Sequence, residues 1–172
     1  MKGVLRPMAS TDLELVRAWR NHADVRRFMY TQHEIAPQEH RKWFESCQSD
    51  PCKHLMVFEK AQAPLGFANV TERVPGRIAD WGFYLAPDVP RGSGRELGHA
   101  ILAFAFANLG LHKLCGQALA YNERSIRFHL ALGFEQEGVL RDQHFDGHAY
   151  HGIVQFGLLF DEWQALQRDA QS

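Results

Sequence analysis

The sequence is short of cysteine, balanced in charge and without a long apolar run. Its three cysteines are Cys47, Cys52 and Cys115. They are odd in number and form no Cys-x-x-Cys pair, which excludes a disulfide framework or a four-cysteine zinc site and fits a reducing cytoplasm. Lys and Arg number 19 against 20 Asp and Glu, a formal charge of -1. Proteins that grip nucleic acid through its phosphates carry a basic footprint, so nucleic acid is disfavoured as a partner. No apolar stretch approaches the roughly 20 residues that span a bilayer. The opening MKGVLRPMASTD lacks the apolar segment of a secretory signal, so a soluble, cytoplasmic protein with no membrane partner is expected. There is no fixed-period repeat and no linker rich in Gly, Ser or Pro. At 172 residues and 45% apolar content, one domain over residues 1–172 around one core is expected.

What is present is regular alternation of apolar periods and turn residues. KGVLRPM reads as a short strand. Thr11, Asp12, Leu13 and Glu14 have the spacing of a capping box, and Leu15, Ala18, Trp19 and His22 share a helical face. Pro37 suits the first turn of a second helix, which points Trp43, Phe44 and Cys47 one way and stops before Asp50 and Pro51. HLMVFEK and PLGFANVTE, separated by Ala61, Gln62 and Ala63, predict a hairpin. After Pro75-Gly76, RIADWGFYLA continues an antiparallel meander. A helix carrying Leu97, Ile101, Phe104 and Ala105 ends at Gly110. The strand HKLCGQALA, a helix from Glu123 to Leu132 closed by Gly133, and two strands around Asp146-Gly147 complete the order β-α-α-β-β-β-α-β-α-β-β. This is an α/β (α+β) pattern, a mixed sheet with helices on its faces.

The bend between the meander and the next helix reads VPRGSGREL. First-turn N–H groups of a helix lack intrahelical partners and the peptide dipoles add, so an anion there meets donors and a favourable field. Gly92 and Gly94 let the backbone come close, and Arg91 and Arg95 bring forks suited to phosphate oxygens. The segment suits a pyrophosphate, although on its own it also reads as an ordinary loop with solvated arginines. It is neither a P-loop nor a GxGxxG fingerprint.

A second segment, YNERSIRFHLALGFEQEG, begins at Tyr121. Together the two resemble the GNAT family of N-acetyltransferases, whose cofactor loop reads Arg/Gln-x-x-Gly-x-Gly/Ala and whose later motif reads Asn-x-x-Ala-Ile-x-x-Tyr-x-x-x-Gly-Phe. Arg91, Gly92, Ser93, Gly94 and Arg95 match the loop, with Glu96 where Gly or Ala is usual. Asn122, Ser125, Ile126, Gly133 and Phe134 match the later motif, with His129 at the tyrosine position. The resemblance implies a GNAT fold: a mixed, mostly antiparallel sheet of six or seven strands, flanked by about four helices and splayed between the fourth and fifth strands. It implies acetyl-coenzyme A as co-substrate and no metal. The cofactor would be bound by the strand end at Phe83, Tyr84 and Leu85, by Arg91 to Glu96, and by Asn122, Ser125 and Phe128. Direct attack of a neutral amine on the thioester needs a route for the amine proton and an acid for the departing thiolate. The resemblance puts His129 at the position of the acid and Asp80 at that of the base, with a water relay as the alternative to Asp80.

Residues 19–46 resemble one subgroup of the family, which acetylates the 4-amino group of a UDP-linked amino sugar on the way to pseudaminic acid, a flagellin-modifying sugar. Trp19, Arg20, Asn21, Val25, Arg26, Met29, Ile35, Glu39 and His40 carry that likeness. Gly147, Tyr150, Glu162 and Trp163 are consistent with it, whereas His151 replaces an aspartate common in the wider family. A nucleotide sugar is a bulky dianion with a flat base, so its pocket would welcome Arg20, Arg26, Arg27, Tyr30 and His54; a polyamine would want clustered carboxylates. Asn21 and Trp81 complete the expected acceptor-binding set. Arginines on a first helix also read as a solvated face. The competing functions are acetylation of a protein N-terminus of the ribosomal-protein type, acetylation of a polyamine, and a non-catalytic module that binds coenzyme A. A homodimer is compatible with the sequence.

His144, His148 and His151 invite a metal, but the Asp-Gly turn sets them on a hairpin and no cysteine or carboxylate completes a shell. They are expected to rim the acceptor pocket or decorate exposed strands, with no metal site.

Overall fold

A computed structural model describes residues 3–169. Seven strands hydrogen-bond in the order β1-β2-β3-β4-β5-β7-β6, where β1 is Val4–Pro7, β2 Lys53–Lys60, β3 Ala63–Val74, β4 Ile78–Leu85, β5 Lys113–Leu119, β6 Glu135–Phe145 and β7 Tyr150–Leu159. The helices are α1 (Leu13–Asn21), α2 (Ala23–Arg26), α3 (Pro37–Gln48), α4 (Ser93–Ala103, continued by a π-helical turn over Phe104–Asn108), α5 (Glu123–Ala131) and α6 (Phe160–Asp169). The mixed sheet and the order of elements along the chain agree with the sequence reading. The short α2 and the C-terminal α6 are additional to it.

The chain forms two compact units, one from residues up to Thr71 with Gly82–Ile101, the other from Glu72–Trp81 with Leu102 onward. In the first, β1 and β3 flank β2 in antiparallel register, Arg6 opposite Val57 and Met56 opposite Ala68. The β2–β3 turn is tight, with Ala61 and Gln62 both at positive φ (52° and 63°). Met8, Val16, Trp19, Phe44, Val57 and Phe67 form the core against which α1 and α3 pack. The capping box expected at Thr11 and Glu14 does not form. Asp12 closes this corner instead: its carboxylate accepts from the Ala9 N–H at 2.8 Å and from both terminal nitrogens of Arg6 at 2.7 and 2.9 Å. Glu14 turns to Arg17.

In the second unit β4 runs parallel to β5 with Ile78, Ala79 and Asp80 opposite Lys113, Leu114 and Cys115. Strand β5 then pairs antiparallel with β7 along its whole length, and β6 with β7. Glycines take the left-handed conformation where the sequence requires it, Gly110 (φ 65°) after α4 and its π-helical turn and Gly133 (φ 94°) after α5. Phe106 stacks on Trp163 of α6 at 5.3 Å.

Candidate active site

The glycine bend lies in the first unit and opens α4. Gly92 has φ 93°, and a Cβ built there would meet nothing within 4 Å. Ser93 is buried, its hydroxyl donating to the Pro90 carbonyl at 2.7 Å and its N–H to the same oxygen at 3.2 Å. The Glu96 N–H returns to the Gly92 carbonyl at 3.1 Å. Among the described hydrogen bonds none takes the N–H of Gly94 or Arg95, so these are the donors the helix start presents, with the exposed Arg91 and Arg95 beside them. The Glu96 side chain is tied away from the bend: it binds Lys60 Nζ at 2.7 Å and accepts from the Gly3 N–H at 3.4 Å. Lys60 holds its carboxyl below the ordinary value. Of the loop residues expected to bind cofactor, Glu96 is therefore anchored within the fold. Gly66 lets the end of β4 close in, since a Cβ there would come 2.9 Å from the Tyr84 carbonyl.

The α1–α3 face of the same unit holds two buried polar atoms without partners. Arg20 donates through Nη2 to the Thr31 carbonyl at 2.8 Å, while its buried Nη1 has no hydrogen bond. His40 is 5% exposed, stacks on Trp43 at 4.9 Å, and its Nε2 also has no hydrogen bond. Burial lowers the pKa of both side chains. Arg26 adds to the effect at Arg20, and Arg17 and Arg20 add to it at His40. Tyr84 packs on Phe67 at 5.0 Å, and burial drives its phenol far above its ordinary value. Asn21 is fully engaged: Oδ1 accepts from the Ile35 N–H at 2.7 Å and Nδ2 donates to the Ile35 carbonyl at 2.9 Å, a staple on the segment before α3. Tyr30 is exposed and His54 is half-buried on β2. The sequence marks His40 only through the subgroup likeness, because an orphaned nitrogen is a property of packing.

In the second unit Trp81, Asn122, Ser125, Phe128 and His129 come together. Asn122 caps α5, its Oδ1 accepting from the Ser125 N–H at 3.1 Å. His129 is 1% exposed. Its Nδ1 donates to the Ser125 carbonyl at 2.8 Å, and its Nε2 accepts from the Trp81 indole at 3.1 Å. The ring is thus held as the neutral tautomer, and burial pushes its pKa down. Trp81, expected to touch the acceptor, is core here: 7% exposed and stacked on Phe134 at 5.1 Å. Asp80 is gripped through both oxygens by the Arg73 guanidinium.

The hairpin of β6 and β7 carries a further cluster. Asp146 Oδ1 accepts from the His148 and Ala149 N–H groups at 2.7 and 2.8 Å, and its Oδ2 from His151 Nε2 at 2.6 Å. These bonds, the backbone ones foremost, hold its carboxyl well below the usual range. Among the described residues no group of three or more His, Cys, Asp or Glu is arranged to hold a metal ion.

A mixed seven-stranded sheet with one parallel pair, a glycine bend opening a helix after β4 and an Asn-capped helix after β5 define an acetyltransferase of the acyl-coenzyme A type. Residues 3–135 match the family model described as acetyltransferase (GNAT) domain, and the chain belongs to that family of N-acetyltransferases. It is similar to the acetyltransferase PseH of Campylobacter jejuni, 28% identical over 123 residues that cover 70% of this chain and 74% of that one. It is 23% identical to spermidine N(1)-acetyltransferase of Vibrio cholerae over 90% of this chain and 91% of that one. A crystal structure of the Vibrio cholerae spermidine N-acetyltransferase in complex with CoA and spermine superimposes with a TM-score of 0.87 over 95% of this chain and 98% of that one, at 22% identity. Membership makes the protein an enzyme, and the reading as a non-catalytic module is set aside.

Proposed function

We propose that the protein is a single acetyltransferase domain that moves the acetyl group of acetyl-coenzyme A onto a primary amine carried by a phosphorylated small molecule, the 4-amino group of a UDP-linked amino sugar. The observation that carries this reading is the pair of orphaned nitrogens, Arg20 Nη1 and His40 Nε2. A buried donor left unpaired costs about 1–3 kcal/mol. A phosphate or uracil oxygen bound there would satisfy Arg20 and offset that cost, whereas an ammonium would add a like charge beside a half-buried guanidinium. Of the carboxylates near this face, Glu14 is engaged by Arg17 and Glu39 by His33 at 3.0 Å, while Glu34 acts on Arg17 through its charge. The likeness of residues 19–46 to the nucleotide-sugar subgroup points the same way.

The residues of the bend fit the diphosphate of coenzyme A. The Gly94 and Arg95 amides supply donors, Gly92 leaves the approach open, and Arg91 and Arg95 supply charge. The main chain of Phe83 to Leu85 would bond the pantetheine arm as an added strand. Asn122 and Ser125 shape the start of α5, and Phe128 packs beside Trp81 at 6.4 Å. The bound cofactor supplies an activated acetyl thioester.

The spermidine acetyltransferase likeness favours a polyamine as the second reading. Thiol release from acetyl-coenzyme A in the presence of a UDP-4-amino sugar, spermidine or an N-terminal peptide separates the readings. Turnover with the sugar alone is expected; turnover with spermidine or the peptide and none with the sugar overturns the assignment.

A further inference from the structure

We propose that His151, oriented by Asp146, is the group that takes the proton from the attacking amine. Both proton carriers expected from the sequence are committed elsewhere, His129 to Trp81 and Ser125, and Asp80 to Arg73. The Asp146–His151 pair has the chemistry they lack. A carboxylate only accepts hydrogen bonds, so the 2.6 Å contact fixes the proton on His151 Nε2 and makes Nδ1 the basic nitrogen of the neutral ring. No described hydrogen bond occupies Nδ1. The two side chains keep 26% and 23% of their surface exposed, enough for a ligand or water to reach them.

Position supports the role. In an open sheet, ligands bind beyond the carboxyl ends of parallel strands, and β5 is the strand that pairs in parallel with β4. Tyr121 stands just past the carboxyl end of β5, next to the α5 cap Asn122, and its ring meets that of His151 edge-on at 4.8 Å. The Ala120 N–H donates to the Gly152 carbonyl at 2.9 Å, which fixes β7 against this end of β5. The titratable groups facing His151 are Tyr121 just past β5, His144 directly opposite it on β6 and Asp146 from the turn.

In the step itself the amine nitrogen bonds to the acetyl carbon, the carbon–sulfur bond breaks, and its electron pair leaves on sulfur. The amine proton passes to His151 Nδ1, the imidazolium is stabilised by Asp146, and the ring then returns a proton to the thiolate or to solvent.

The inference rests on acetyl transfer to an amine and not on which amine is used, so it is tested with whichever acceptor the wild type turns over. Identification of that acceptor reports on the preceding proposal, and the variant-to-wild-type ratios report on this one. His151→Gln is expected to lower kcat by about 10²-fold, leave the KM for acetyl-coenzyme A within about twofold, and abolish the acidic limb of the pH–rate profile. Asp146→Asn retains an oxygen for the His148 and Ala149 N–H groups, so the turn survives while the carboxylate is lost. It is expected to lower kcat about tenfold, with the KM for acetyl-coenzyme A within about twofold. A His151→Gln enzyme with kcat within about threefold of wild type and the limb in place overturns the proposal. Should that variant not fold, a kcat in Asp146→Asn equal to that of wild type overturns it equally.

Discussion

The indole N–H of Trp81 points at Nε2 of His129, 3.1 Å away and 48 residues distant in sequence. That bond, with the Nδ1 bond to Ser125, converts the residue at the family's tyrosine position into a fully satisfied neutral imidazole. Replacement of His129 by Phe removes the acceptor for a buried indole N–H. A loss of about 1–3 kcal/mol is expected, read as a lower urea midpoint with an unchanged slope.

The same residue makes stability depend on pH. Burial lowers the pKa of His129 and of His40 in the folded state, so between those lowered values and the ordinary value near 6.5 the unfolded chain binds more protons. Stability therefore rises with pH through this window and is lost as pH falls below about 6.5. Denaturant titrations at pH 5.5 and 7.5 are expected to show the wild type weaker at the acidic value. The difference should shrink in His129→Phe, which leaves His40 as contributor; equal differences in both proteins would remove His129 from the account.

Gly116 is required by the same contact. A Cβ at this position would lie 2.4 Å from His129 Nε2 and 2.6 Å from Trp81 Nε1, inside the hydrogen bond. Gly116→Ala is expected to cost about 1–3 kcal/mol, the scale of overpacking in a filled core, and to raise hydrogen exchange at the Trp81 indole. A midpoint equal to wild type would mean that the two rings can part without penalty.

Strand order, helix order and the two motifs were legible because they rest on local patterns: apolar period, glycines at left-handed positions, and an Asn placed to cap α5. What the sequence could not show is how side chains distant along the chain satisfy one another. Asp80 looked like a base until Arg73, across the β3–β4 turn, closed on it. Trp81 and Asn21 looked like acceptor contacts, yet the first belongs to the core and the second staples Ile35. Asp146 read as half of a turn signal, and His151 as a departure from the family that rims the acceptor pocket or decorates an exposed strand. Their pairing gives both a chemical role.

The cofactor bend allows a separation of folding from binding. Gly92 sits at φ 93° with open space where a Cβ would go, so Gly92→Ala meets no clash in the protein and costs only backbone strain, about 1–2 kcal/mol. Any diphosphate lying against the bend would meet the new methyl group. Calorimetric titration is expected to show coenzyme A affinity falling by more than tenfold while the fold persists. An affinity within twofold of wild type would place the diphosphate elsewhere.

Arg20 gives a test in which structural and functional roles differ in sign. Its Nη1 is buried without a partner, and its one described hydrogen bond is that from Nη2 to Thr31. In the absence of ligand, Arg20→Met removes a half-buried charge with one unsatisfied nitrogen, along with that single bond. Because buried charges are often replaced by apolar groups without loss, unfolding free energy should stay within about 1 kcal/mol of wild type. A charge-assisted bond to the acceptor is worth about 1.5–3 kcal/mol, so the acceptor KM should rise by about 10- to 150-fold, with the KM for acetyl-coenzyme A unmoved. A variant that loses stability but binds acceptor normally would make Arg20 a scaffold residue and remove the main support for an anionic acceptor.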